Sequence, residues 1–130
     1  MKRNATSNER KKQNADARSM YWWPITETKI RQAAEKIAAA THPEKIILFG
    51  SFAHGNPTRD SDVDLLVIMP SAQDQRANAR EISEILYPRP FPVDILVRTP
   101  AEITERLQWG DGFISDIVTK GKVLYERPSS

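Results

Sequence analysis

Two short apolar runs joined by a polar segment constrain this chain more than any other feature. Ile46-Ile47-Leu48-Phe49 stops at Gly50-Ser51, and Leu65-Leu66-Val67 follows a pair of acids, Asp62 and Asp64. Ten residues separate Ser51 from Asp62. Short runs rich in β-branched residues and bounded by turn formers read as buried strands, here over 45–49 and 62–69. Residues i and i+2 of a strand share a face. Asp62 and Asp64 are therefore expected side by side, with Val63 and Leu65 turned into apolar packing. Carboxylates at that spacing repel unless a cation or a proton lies between them. A hard divalent ion with oxygen ligands suits them.

A third run, 93–97, holds one further acid, Asp94, inside Val93-Asp94-Ile95-Leu96-Val97. Laid beside 62–69, it brings Asp94 within about one strand spacing, roughly 4.8 Å, of the other two acids. Three carboxylates within such reach can hold two divalent ions about 3.5–4 Å apart. At the head of the segment, Gly50 permits a positive φ or the close approach of a ligand. Residues 51–54 start a short helix, whose N-terminus, with the Ser51 hydroxyl, suits a phosphate.

The remaining segments supply layers for these strands. Residues 26–41 show a helical stripe of Ile30, Ala33 or Ala34, Ile37 and Ala38, capped by Thr26 or Thr28 and ended by His42-Pro43. Residues 73–86 form a second amphipathic helix with Ala79, Ile82, Ile85 and Leu86 inward. Arg76 and Arg80 lie four apart on one face of it, a solvated face or a partner contact. Thr99-Pro100-Ala101-Glu102 is a capped helix start, followed by Ile103, Leu107 and Trp109 as inward positions. Gly110 breaks that helix, Asp111 caps the next, and Phe113, Ile114, Ile117 and Val118 form its stripe. Gly121 is expected as a left-handed cap before an edge strand over 122–125. The fold class is α/β (α+β), a small mixed sheet of about four strands flanked by helices.

With 130 residues, the chain is one domain burying roughly two-thirds of its unfolded surface. It has no cysteine, so a disulfide framework and a thiolate metal site are excluded. That usage fits a reducing cytosol, and no membrane span or signal peptide is legible. The expected location is cytoplasmic. The net charge of +2 divides unevenly, with +4 in residues 1–20 and −2 in the other 110. Residues 1–20 lack Leu, Ile, Val and aromatics, so they read as a disordered basic tail ahead of a domain over 21–130. Without interleaved aromatics, such a tail offers nucleic acid no more than weak contact. Tyr21-Trp22-Trp23 reads as an anchor at the edge of the sheet.

Gly-Ser, ten residues and Asp-x-Asp resemble the signature of the nucleotidyltransferase superfamily that includes DNA polymerase β. Ala53, Gly55, Ser61-Asp62 and Asp64-Leu65-Leu66-Val67 resemble the minimal nucleotidyltransferases, small prokaryotic domains often encoded beside a HEPN-type toxin. The likeness runs from about residue 26 to residue 125. It implies the nucleotidyltransferase fold, with Asp62, Asp64 and Asp94 as catalytic residues that ligate two Mg²⁺ ions. It also implies that Gly50 and Ser51 hold the terminal phosphates of ATP. Many relatives carry arginines after Gly-Ser, where this chain has Phe52 and His54; Arg59 is the expected substitute for that charge. The implied reaction moves AMP to a tyrosine hydroxyl of a partner HEPN toxin, which makes the chain an antitoxin. Alternatives are transfer to a small molecule such as an aminoglycoside, and a non-catalytic antitoxin that acts by binding alone.

Overall fold

Strands alternate their side chains between two faces, so a sheet built from these apolar runs needs cover on both sides. The computed structural model describes residues 24–71 and 73–128; the basic tail and the aromatic triplet lie outside the described residues. Along the chain run α1 (Glu27–Thr41), β1 (Lys45–Phe49), α2 (Ser51–His54), β2 (Val63–Ile68) and α3 (Gln75–Ile85). They are followed by β3 (Val93–Arg98), α4 (Pro100–Gln108), α5 (Gly112–Lys120) and β4 (Lys122–Glu126). The strands form one mixed sheet in the order β3-β2-β1-β4. β1 is antiparallel to both neighbours, while β2 and β3 are parallel. A parallel pair needs a crossover, and α3 provides it.

Ile46, Leu48, Val63, Leu65, Val67, Val93 and Val97 face one side and pack with α1 and α3. Ile47, Leu66 and Ile68 face the other and pack with Ile103 of α4 and with Ile114 and Ile117 of α5. A strand covered on both faces should read as a continuous apolar run, and β2 does so from Leu65 onward. Asp64 is the interruption.

Four helices start on side-chain caps, which satisfy amides that the helix leaves unpaired. Thr26 Oγ1 accepts from Lys29 N at 3.2 Å, Asp74 Oδ1 from Ala77 N at 2.9 Å, and Asp111 Oδ1 from Ile114 N at 3.0 Å. At α4, Thr99 and Glu102 form a reciprocal box, with bonds of 3.1 and 2.8 Å. Thr26, not Thr28, is therefore the cap of α1. Among the described residues, no helix is long and apolar enough to cross a membrane.

Several expectations need correction. β2 begins at Val63, so Asp62 lies just before the strand rather than within it. β3 extends to Arg98. Leu107 and Trp109 are 41% and 70% exposed, because only the Ile103 side of α4 meets the sheet. Arg106 instead lies 6.0 Å over the Trp109 ring. Phe113 is 58% exposed and meets Phe49 edge-on, with ring centroids 5.8 Å apart. Gly121 has extended backbone, with φ −73° and ψ 167°. It is required for space, since a Cβ there would meet Ile117 O, the Ile47 side chain and Leu48 O.

Candidate active site

The acids gather where β1 ends and the parallel pair begins. In the register of the sheet, Phe49 lies opposite Asp64, and Asp64 lies opposite Asp94. By strand alternation, Asp64 and Asp94 share the face that carries Leu66 and Leu96. They occupy its outer end, where the apolar cover gives way to solvent. Asp64 is half-buried, whereas Asp94, on the outer strand, and Asp62, ahead of β2, are exposed. The expected adjacency of β2 and β3 therefore holds, and it places Asp94 one strand away from Asp64.

Gly50 makes this arrangement possible. Its φ of 79° and ψ of −159° fall in a region that is essentially restricted to glycine. A Cβ at Gly50 would overlap the Asp64 carboxylate at Oδ2. The group that approaches Gly50 closely is thus one of the chain's own acids, which the sequence did not reveal. The Gly-Ser turn and the first aspartate of β2 are packed against each other, so the twelve-residue separation in sequence closes to contact.

Electrostatically the site is uncompensated. None of the three carboxylates takes a hydrogen bond or an ion pair from another described residue. Burial pushes the Asp64 carboxyl above its ordinary value, and the nearby charges of Asp94 and Asp62 push it further. As the side chains stand, no three His, Cys, Asp or Glu residues among those described close into a metal-holding group. The chemistry of the donor set nevertheless fits a divalent cation: oxygen ligands with free lone pairs and an excess of negative charge.

The phosphate-facing elements are present, with one shift of emphasis. Ser51 is half-buried at the first position of α2. The amides of Ala53 and His54 both donate to Gly50 O, at 3.0 and 3.3 Å. Phe52 packs against the larger core cluster, which explains why an apolar residue follows the Gly-Ser pair. His54 is exposed at the end of α2. Residues 58–61 close their own turn, with Thr58 N donating to Ser61 Oγ at 2.9 Å and Asp60 N to Thr58 Oγ1 at 3.2 Å. Arg59 is exposed on this turn, three residues before Asp62.

An acid pair across adjacent strands, in contact with a Gly-Ser turn, is suited to chemistry on phosphate esters. The chain belongs to the nucleotidyltransferase domain family, whose model matches residues 28–125, and it is a nucleotidyltransferase. It is 28% identical over 82 residues to MJ0604 of Methanocaldococcus jannaschii, an inferred protein adenylyltransferase. That match covers 63% of this chain and 78% of the relative. Among solved structures, an inferred nucleotidyltransferase from Sulfolobus solfataricus superposes with a TM-score of 0.53 at 18% identity, covering 85% of this chain and 83% of that one. A toxin–antitoxin structure with AMP-PNP gives 0.52 at 24% identity, covering 75% and 73%. The MntA–HpeT toxin–antitoxin pair, in a variant with two aspartates replaced by glutamate, gives 0.52 at 22%, with the same coverage. These likenesses confirm the mixed four-stranded fold.

Proposed function

We propose that this nucleotidyltransferase moves AMP from ATP to a hydroxyl, a tyrosine of a partner HEPN toxin, and so acts as an antitoxin. The observation that carries the reading is Asp64 held in register with Asp94 and packed on Gly50 beside Ser51. The relative that is an inferred protein adenylyltransferase supports a protein acceptor. The toxin–antitoxin neighbours support the nature of that acceptor.

The chemistry is an in-line displacement. The acceptor hydroxyl oxygen attacks the α-phosphorus, the bond from that phosphorus to the β-phosphate oxygen breaks, and pyrophosphate leaves. Asp94, exposed to the side from which an acceptor arrives, orients the hydroxyl and accepts its proton. Ser51 Oγ and the Gly50-Ser51 backbone hold the β- and γ-phosphates, and Arg59 adds positive charge from its turn. Asp62 and Asp64 position the triphosphate. Two Mg²⁺ ions held by Asp62, Asp64 and Asp94 would supply the positive charge that stabilises the attacking and leaving oxygens.

The test is incubation with ATP labelled at the α-phosphate, Mg²⁺ and the product of the neighbouring gene. Label on a tyrosine of that protein is the expected result. Label on a small molecule instead would assign the enzyme to small-molecule transfer. Neutralisation of the partner by an Asp62→Asn, Asp64→Asn double variant would show that binding alone suffices.

A further inference from the structure

The face of the sheet that carries Asp64 and Asp94 also carries an aromatic pair beside them. Phe49 ends β1 and lies opposite Asp64 in the register. Directly opposed residues of an antiparallel pair share a face, with Cβ atoms about 4.5–5.5 Å apart. Phe113, in the first turn of α5, meets Phe49 edge-on, with ring centroids 5.8 Å apart. Phe49 packs on the cluster of Ile47, Leu66 and Ile117, whereas Phe113 is 58% exposed. A singly exposed aromatic needs no explanation. This one is held against a packed ring that faces Asp64 across one strand spacing, so its open surface lies at the acid end of that face.

The place of the pair across the sheet decides what it would meet. Strand order sets Asp94 on β3, Asp64 on β2, and Phe49 on β1 with Gly50-Ser51 directly after it. The aromatic pair thus flanks Asp64 on the side of the Gly-Ser turn, away from Asp94 and from the free edge of β3. A nucleotide with its terminal phosphates on Ser51 and its α-phosphate at Asp64 has only a ribose between that phosphate and its base. Aromatic side chains take bases through their π faces, without a hydrogen-bond code, and stacking strength sets the preference among bases. Asp111, beside Phe113 in the chain, is already committed. It caps α5 through Ile114 N at 3.0 Å and pairs with Arg106 at 3.6 Å, so its carboxylate is not left to read a base edge.

We propose, resting on the transfer reading for the place of the triphosphate, that Phe113 braced by Phe49 is the stacking platform for the base of the transferred nucleotide. The platform selects purine over pyrimidine triphosphates by ring area. The test is isothermal titration of the full chain with Mg²⁺ present and no acceptor. The titrants are the α,β-methylene analogues of ATP and CTP, whose α–β link cannot be cleaved, and inorganic tripolyphosphate. The ATP analogue should bind more tightly than the CTP analogue, and both more tightly than tripolyphosphate. Phe113→Ala should weaken the ATP analogue roughly tenfold and leave tripolyphosphate unchanged, a split that a merely structural role would not produce. Phe113→Leu, which keeps apolar bulk, should lose as much; Phe113→Trp should retain binding, and Trp109→Ala should change nothing. An ATP analogue that binds no better than the CTP analogue, or equal losses for it and tripolyphosphate in Phe113→Ala, would overturn the platform and leave the transfer reading standing. So would nucleotide binding indifferent to Phe113, which would leave that ring to the acceptor. Failure of all three titrants to bind the parent chain would overturn both readings.

Discussion

The two ends of the β2–α3–β3 unit use carboxylates in opposite ways. At the carboxyl ends of the strands, Asp74 and Glu102 are bonded into helix caps, and Glu102 is held below its ordinary ionisation range, chiefly by the Thr99 amide. At the amino ends, Asp64 and Asp94 face each other without a hydrogen bond, and Asp64 is held above its ordinary range. Acids of the first kind stabilise the fold. Acids of the second kind are a standing electrostatic cost, which a protein retains where a cation or a proton is to be used. The difference separates structural from functional acids within one small sheet.

The sharpest break in that contrast is Asp64→Asn. It should lower Mg²⁺-dependent pyrophosphate release from ATP by at least about a hundredfold, the usual scale for losing one electrostatic contributor. The circular dichroism spectrum should be unchanged; retained turnover would show that the acids of this end are not catalytic. Next comes Gly50→Ala. An alanine there is forced into a glycine-only conformation, at a cost of roughly 1–3 kcal/mol, and its Cβ displaces the Asp64 carboxylate. Urea unfolding should show the loss of stability, and activity should fall further than stability alone explains.

At the opposite end, Thr99→Ala should cost about 1 kcal/mol through its cap and lower the melting temperature by a few degrees, with transfer activity intact. A loss of activity matching that of Asp64→Asn would erase the distinction between the two ends.

The smallest effects lie in pH dependence, and their signs are opposite. Glu102 has a folded-state pKa below its ordinary 4.5, so its contribution is complete above that value and is lost as pH falls through the folded one. Asp64 has a folded-state pKa above its ordinary 3.8. Its ionised form is disfavoured in the fold, and that penalty lifts as pH falls from the raised value toward the ordinary one. Without divalent ions, Asp64→Asn should therefore stabilise the protein at neutral pH, whereas Glu102→Gln should destabilise it. Both differences should fade in urea titrations run well below pH 4. Added Mg²⁺ should raise the melting temperature of the parent and leave that of Asp64→Asn unmoved.

Periodicity and turn chemistry made most of the architecture legible. The apolar runs placed the strands, Thr99 with Glu102 and Asp111 announced their helix starts, and the shared positions of Asp64 and Asp94 followed from strand pairing. Packing decided the rest. Nothing local in the sequence tells that Asp62 stops short of the ladder, since a strand end depends on where its partner's hydrogen bonds run out. Trp109 and Phe113 match an inward stripe, yet α4 and α5 are short and meet the sheet through Ile103, through Ile114 and Ile117, and through one aromatic edge.

Among the described residues, β3 closes the sheet on the acid-bearing side, with no further strand beyond it. Asp94 therefore stands on the rim, and whatever meets it also meets a row of open main-chain groups. In the proposed transfer, a folded acceptor would bring its hydroxyl level with that carboxylate across this open edge. Turnover would then be paced by how often nucleotide and acceptor arrive together.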